Sequence, residues 1–112
     1  MSVSYLVRYR GAAADPAAFL DHYRSRHATI LRDYPGIRAC RLHHPVPWVD
    51  PVQVRPDGLF LLAELRFDSL DDLNRALASE TRQRSRADFV NFPRFEGEVS
   101  HQAVETEVLF SR

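Results

Sequence analysis

Hydrophobic and polar positions alternate along this chain with two different periods. Four stretches in which apolar side chains occupy every second position have the period of a strand: residues 3–9, 37–46, 59–67 and 98–110. Apolar residues recur at spacings of three and four in residues 15–36 and 69–77, which predicts two amphipathic helices. A further short helix is predicted to end near Phe92. The alternation shifts inside the last strand, so we expect an irregularity there.

The predicted elements follow one another as strand, helix, strand, strand, helix, strand. This order is the split βαββαβ pattern of the ferredoxin-like fold, an α+β architecture with a four-stranded antiparallel sheet. Because both crossover connections are right-handed, the two main helices are expected on one face of the sheet. With 112 residues, the chain is expected to form one domain, residues 1–112.

The helix predicted over residues 15–36 carries a titratable side chain on its apolar face. Asp15 is a suitable N-cap, and Gly36 marks the end of the helix. His27 lies on the stripe that should face the sheet, one turn after Tyr23. The stripe therefore places an imidazole where an apolar side chain is the rule.

His27 and Tyr23 each allow two interpretations. With an unperturbed pKa of about 6.5, the His27 imidazole suits general acid–base catalysis. His27 could equally be a core histidine that is hydrogen-bonded to a backbone carbonyl. Tyr23 could orient a substrate or donate a proton, or it could be a core aromatic residue.

Other candidate pocket residues come from the second strand, the loop that follows it and the last helix. His43 and His44 end the second strand and point to opposite faces, so at most one of them can face a given pocket. Trp48 lies in a proline-rich loop, where it could be a lid over an apolar ligand or an anchor packed on the sheet edge. Phe89 and Phe92, three residues apart, are expected to point inward, where they could line the core alone or a pocket wall as well.

No motif for a metal or a cofactor is present. His22 is five residues from His27 and is expected on a different side of the helix, so the two imidazoles should not converge on an ion. The single cysteine excludes a Cys-rich zinc site, and the four glycines form no phosphate-binding loop. The chain has no lysine for Schiff-base chemistry. We therefore predict neither a metal nor a cofactor.

The face of the sheet away from the helices is predicted to be too apolar for water. Leu6, Phe60 and Leu62 should lie on it, among charged side chains. These charged residues are Arg8, Arg10, Glu64 and Arg66. A second copy of the chain would bury the apolar patch and let the charges pair. We therefore predict a homodimer formed through the sheet face.

The charge balance argues against polyanionic partners. Fifteen arginines balance fifteen acidic residues, and no basic cluster occurs. Neither a nucleic acid nor a membrane is therefore expected as a partner. No apolar run approaches the roughly 18 residues of a membrane-spanning helix, and the N-terminal residues lack the pattern of a signal peptide. We expect a cytoplasmic protein.

The chain resembles the EthD family of the dimeric α/β-barrel superfamily. The resemblance rests on the opening strand YLVRYR, the helix AFLDHYRSRHATIL with His27, and the following PGIRACRLHHPV. It continues in LAELRFDSLDDLNRAL and RADFVNF and so covers almost the whole chain. Through the helix histidine the chain is also similar to proteins of the methylmuconolactone methylisomerase type.

The resemblance implies a dimer with a small hydrophobic pocket in each subunit. Reactions in the superfamily include lactone isomerisation, aromatic polyketide cyclisation and cofactor-free oxygenation. We therefore expect a cofactor-free enzyme acting by acid–base chemistry on a hydrophobic cyclic or aromatic substrate, in catabolism or polyketide-type metabolism, with His27 as the acid or base. The alternative is a non-catalytic dimer that binds a metabolite or assists an oxidative degradation pathway.

Overall fold

The computed structural model describes residues 1–112 as a four-stranded antiparallel sheet covered by helices on one face. The strands are β1 (Val3–Ala13), β2 (Ile37–His43), β3 (Leu59–Phe67) and β4 (Phe95–Glu105). They lie in the order β2-β3-β1-β4. This is the ferredoxin-like α+β fold that the hydrophobic pattern predicts, with the first and third strands at the centre.

Side chains cap the first turns of two of the four helices. They are α1 (Pro16–His22), α2 (Ala28–Leu31), α3 (Leu70–Leu77) and α4 (Glu80–Ala87). Asp15 Oδ1 accepts a hydrogen bond of 3.0 Å from the Ala18 N–H, and Ser69 Oγ accepts one of 3.1 Å from the Asp72 N–H. Both side chains satisfy donors that have no partner in the first turn of a helix. No helix is long and apolar enough to span a membrane.

The structure contains no continuous α-helix over residues 15–36, where the sequence predicts one. A π-helical segment (Tyr23–His27) joins α1 to α2, and the helix gives way to turns after Leu31. The hydrogen bonds of the π-helical segment close five residues apart instead of four, so this segment rotates less per residue than an α-helix does. A 3-10 turn (Asp88–Asn91) follows α4 and takes the place of the short helix predicted to end near Phe92.

The last strand begins and ends earlier than its alternation indicates. β4 runs over Phe95–Glu105, and it pairs with β1 from Ala13 opposite Phe95 to Val3 opposite Glu105. Beyond Glu105 the Thr106 N–H donates a 3.0 Å bond to the Ser2 carbonyl oxygen, next to the start of the chain, so the strand ends although the apolar pattern continues. The close approach of the two strands near Gly11 depends on its partner Gly97, because a Cβ on Gly97 would overlap the carbonyl oxygen of Arg10.

The core lies between β3 and the helices. Leu61, Ala63, Leu65 and Phe67 are all buried on this face, as the period of the strand predicts. Phe60, expected on the opposite face, packs here as well. The register between β1 and β3 shifts beside it, since Tyr9 pairs with Leu61 while Arg10 pairs with Leu59. The bulge turns the Phe60 ring towards two other aromatic rings, 5.3 Å from Phe19 and 5.7 Å from Phe95.

Candidate active site

A buried carboxylate beside the first helix accepts hydrogen bonds from two histidines. Asp88 Oδ2 lies 2.9 Å from His22 Nε2 and 2.9 Å from His27 Nδ1. The other oxygen, Oδ1, accepts a 3.0 Å bond from the Asn91 side-chain amide. Only 7% of Asp88 and 4% of His27 are exposed. The cluster is therefore a charged group held inside the protein by three donors.

The π-helical segment is what brings the two histidines together. In an α-helix of 3.6 residues per turn, side chains five residues apart point about 140° away from each other. In a π-helical turn, positions five apart follow one another along the same side of the helix. The expectation that His22 lies on a different side of the helix from His27 is therefore wrong. Asp88 meets them from the opposite direction, as the first residue of the 3-10 turn after α4.

The hydrogen bond to Asp88 fixes the protonation of His27. An ionised carboxylate only accepts hydrogen bonds, so the proton of the neutral imidazole is on Nδ1 and Nε2 keeps its lone pair. Burial lowers the pKa of His27 below its ordinary value of 6.5, although the hydrogen bond and charge of Asp88 raise it. At neutral pH the ring is therefore neutral, with a basic nitrogen that Asp88 does not occupy.

Asp88 itself stays ionised. Burial raises the pKa of Asp88, but the hydrogen bonds from Asn91, His27 and His22 together outweigh this effect, and its pKa lies below the ordinary value. The arrangement joins a neutral imidazole to a permanent negative charge. In this arrangement, the carboxylate would stabilise the imidazolium formed if Nε2 took up a proton.

Aromatic rings enclose the rest of His27. The centroid of its ring lies 4.9 Å from that of Tyr23 and 5.0 Å from that of Phe92, both edge to face. The Phe89 ring is stacked on it at 5.9 Å. Burial raises the pKa of Tyr23 well above its ordinary value, so its hydroxyl is neutral. These rings keep water from the imidazole on most sides.

Two neighbouring cavities open towards this cluster. His27 lines a small one of about 30 Å³, enough for a water molecule. Beside it lies a cavity of about 950 Å³, which is the size of a small-molecule site. Six residues line both cavities: Tyr5, Tyr9, Arg82, Arg86, Phe89 and His101. His27 lines only the small cavity, which adjoins the large one through these six residues.

The structure gathers some of the predicted pocket residues and not others. Tyr23 lines the small cavity, Phe92 the large one, and Phe89 both. His43 pairs with Leu62 in the sheet and points away from the helices, with its Nε2 3.0 Å from Glu64 Oε1. It is thus separated from His27 by the sheet.

The other two predicted pocket residues, His44 and Trp48, also line neither of these cavities. His44 is exposed just after β2. Trp48 is 57% exposed and lines a separate shallow cavity within its own loop, together with Asp50 and Pro56. No residue that lines this shallow cavity also lines the large one, so in a single copy of the chain the indole does not cover the large cavity.

Several residues at the site have no clear signal in the sequence. Asp88 precedes Phe89 directly and could have been suspected as a carboxylate next to a predicted pocket wall. The π-helical turn that adds His22 leaves no pattern in the sequence. Arg82 and Arg86 belong to an Arg-rich helix whose polar composition resembles that of a solvent-exposed surface. No group of three or more His, Cys, Asp or Glu side chains is arranged to hold a metal ion.

The comparison with known proteins settles the family. Residues 12–95 match the EthD domain. The chain belongs to the EthD domain family. Over 79 residues it is 33% identical to an uncharacterized 11.0 kDa protein of Rhodococcus erythropolis from the thcB-thcC intergenic region, with 70% of this chain and 73% of that protein covered.

Solved structures agree on the fold. An ethyl tert-butyl ether d (EthD) family protein of Bacillus halodurans superposes with a TM-score of 0.75 at 23% identity, over 96% of this EthD chain and 100% of the other. SnoaB of Streptomyces nogalater, a cofactor-independent oxygenase, superposes with a TM-score of 0.63 at 16% identity, over 99% and 98%. A dimeric ferredoxin-like protein of Bacteroides fragilis has a TM-score of 0.59 at 10% identity, over 94% and 96%.

Replacement of Asp88 by Ala should destabilise the fold. The change leaves two imidazoles and the Asn91 amide without their acceptor, and unsatisfied buried donors together cost about 2 to 4 kcal/mol of the free energy of unfolding. Urea denaturation of wild type and variant at pH 7.5 measures the difference. Asp33→Ala is the matched control, because its ion pair with Arg84 is exposed and worth roughly 1 kcal/mol or less. Equal losses in the two variants would contradict a structural role for the buried cluster.

Proposed function

We propose that this EthD-family chain is a cofactor-free enzyme that moves a proton on a hydrophobic cyclic or aromatic substrate. His27 is the general base or acid of this proposal. The observation that carries it is the buried His27–Asp88 pair, with Nδ1 and Oδ2 2.9 Å apart, beside an aromatic-lined cavity. A neutral imidazole whose other nitrogen is held by a carboxylate is the arrangement that makes histidine an effective base.

The chemical step needs only groups of this chain. His27 Nε2 takes a proton from a carbon or oxygen acid of the substrate, and the pair of electrons from that bond stays on the substrate as an enolate or phenolate. Asp88 stabilises the imidazolium, which returns the proton at another position. The surrounding rings of Tyr23, Phe89 and Phe92 strengthen these interactions because they exclude water.

Isomerisation or cyclisation fits these groups directly, since both reactions need only an oriented substrate and one or two proton transfers. Cofactor-independent oxygenation begins with the same proton removal, because an electron-rich anion is the species that reacts with oxygen. SnoaB, whose fold this chain shares, is a cofactor-independent oxygenase. The likeness supports proton abstraction without a cofactor as the common first step.

Proton exchange offers an assay that needs no knowledge of the natural substrate. We expect the wild type to speed the incorporation of deuterium from D2O at the acidic carbon of 2-tetralone, a bicyclic aryl ketone, as followed by proton NMR. His27→Ala should lower this rate by about a hundredfold or more, as expected for loss of a general base. The wild-type rate should fall as the pH drops through a value below 6.5, because His27 is inactive once protonated and its pKa is lowered.

Asp88→Asn tests the second member of the pair. Loss of the negative charge should slow exchange and move the acidic limb of the pH profile to lower pH, since the Asp88 charge raises the pKa of His27. Asp21→Asn, on the exposed side of the same helix, is the matched control and should leave both rate and profile unchanged. Full exchange activity in His27→Ala would favour the binding or accessory role over catalysis.

We also propose that the chain is a homodimer formed through the open face of its sheet. Leu6 and Leu62 lie on this face only half-buried, and Arg66 Nε is buried there without a hydrogen-bond partner. Glu64 on the same face is held by Ser4 Oγ at 2.8 Å. A second copy would cover the leucines and offer acceptors to Arg66. The dimeric Bacteroides fragilis protein shares this fold.

Sedimentation velocity at micromolar concentration should show a dimer. Leu62→Glu should produce a monomer, because it places a carboxylate in the apolar part of the proposed interface. Leu70→Glu is the matched control, since Leu70 is an exposed leucine on α3, away from the open face, and its replacement should leave the dimer intact. A monomeric wild type at this concentration would refute the dimer.

A further inference from the structure

The wall of the large cavity is positively charged. It contains three arginines, Arg82, Arg86 and Arg94, together with His101, and no Asp or Glu side chain. The other lining residues are mainly aromatic or apolar. A cavity with this composition attracts a ring that carries negative charge more strongly than a neutral ring of the same shape.

Two outward-facing arginines at or near this wall already form ion pairs with carboxylates of the chain. Arg94 Nη2 lies 2.7 Å from Glu96 Oε1, and Arg84 Nη1 lies 3.1 Å from Asp33 Oδ2. These pairs are exposed and satisfy the charge of both guanidinium groups locally. The remaining two arginines, Arg82 and Arg86, differ from them in their contacts.

Aromatic rings, not carboxylates, contact Arg82 and Arg86. The Arg82 guanidinium carbon lies 5.3 Å from the centroid of the Tyr5 ring, and its Nη2 donates a 3.3 Å hydrogen bond to Tyr5 Oη. The Arg86 guanidinium carbon lies 5.1 Å from the centroid of the Phe89 ring. A guanidinium group placed over a ring still has N–H donors in its plane for another partner.

The two arginines are placed between the large cavity and His27. They are four residues apart in α4 and therefore share one side of that helix. Both line the large cavity and the small cavity that His27 also lines. Burial lowers the pKa of His101 on the facing strand, and the charges of Arg82 and Arg86 lower it further. His101 lines both cavities together with the two arginines.

We propose that the ligand of this cavity is an aromatic acid, whose carboxylate binds Arg82 and Arg86 while its ring lies among the aromatic side chains. A carboxylate matches the paired donors of guanidinium groups in shape and charge. Bound in this way, the acid is anchored at the end of the large cavity that adjoins the small cavity of His27. The inference names the substrate class of the proposed enzyme and rests on that proposed function for the identity of the site.

Calorimetric titration with two matched probes tests the inference without requiring turnover. The probes are 2-naphthoate, which is fully ionised at pH 7.5, and 2-naphthamide, its neutral analogue of nearly the same shape. We expect the wild type to bind 2-naphthoate about tenfold or more tightly than 2-naphthamide, as charge-assisted hydrogen bonds imply. Added salt should weaken binding of the acid and leave binding of the amide unchanged.

The arginine variants assign the preference to particular side chains. The double variant Arg82→Gln/Arg86→Gln should bind both probes with equal affinity, because the charge that favours the acid is gone. Arg86→Gln alone, which changes an exposed position on α4, should lose part of the preference and serves if the double variant does not fold. Arg84→Gln, on the outer side of the same helix, should keep the full preference. Equal binding of the two probes by the wild type, or the same loss in Arg84→Gln, would overturn the inference.

The same titration with His27→Ala separates this inference from the proposed function. The variant should keep its preference for 2-naphthoate, because the neutral imidazole contributes no charge to binding. A preserved preference with unchanged proton exchange in His27→Ala refutes the catalytic role and leaves the aromatic-acid site standing. Loss of exchange in His27→Ala, with no preference for the acid in the wild type, supports the catalytic role and overturns the aromatic-acid site.

Discussion

One carboxylate oxygen, Asp88 Oδ2, accepts a hydrogen bond from each of two histidines of the first helix, and the candidate site is built around this pair of contacts. A buried carboxylate is costly unless donors surround it. The third donor, Asn91, lies within the same 3-10 turn as Asp88 and satisfies the other oxygen. This arrangement ties the end of α4 to the first helix and fixes the orientation of the His27 ring.

The π-helical segment in the first helix helps to meet this need of the Asp88 carboxylate for donors. A regular α-helix would present His27 to Asp88 and turn His22 away by about 140°. The π-helical segment removes this separation, so both imidazoles reach one oxygen. π-helical turns are less favourable than α-helical ones and tend to occur at functional sites. The π-helical segment thus lies where the fold positions two histidines, not one.

Much of the fold could be predicted from alternation alone. The buried residues of β3 appear in the sequence as a strict period of two, and Asp15 and Ser69 mark the starts of helices. His27 could be selected because it is the one imidazole on an apolar stripe. The family resemblance is confirmed by the match of residues 12–95 to the EthD domain.

The partners of His27 could not be predicted in the same way. Asp88 lies 61 residues further along the chain, and its contact depends on how α4 crosses the first helix. The π-helical turn depends on hydrogen bonding within the folded helix, so His22 was assigned to the wrong side. The bulge at Phe60 and the end of β4 follow from the pairing of β1 with its neighbours, which a single strand's sequence does not encode.

Different surfaces of one small sheet are proposed for different tasks. The helix-covered face holds the His27–Asp88 pair and the arginine-lined cavity, whereas the open face, with Leu6 and Leu62, is the proposed contact between two copies. His43 and Glu64 lie on that second face. This division explains why His27 and His43, both predicted at one pocket, lie on opposite sides of the sheet.

The proposed chemistry depends on Asp88 holding His27 as a neutral base with its proton on Nδ1. Long-range proton–nitrogen NMR of the ¹⁵N-labelled protein, recorded across a pH titration, reports both the tautomer and the pKa of each imidazole, and His27→Gln identifies the signals of His27. We predict the Nδ1–H tautomer at pH 7.5 and a His27 pKa below 6.5. An Nε2–H tautomer, or a His27 pKa above 6.5, would contradict it.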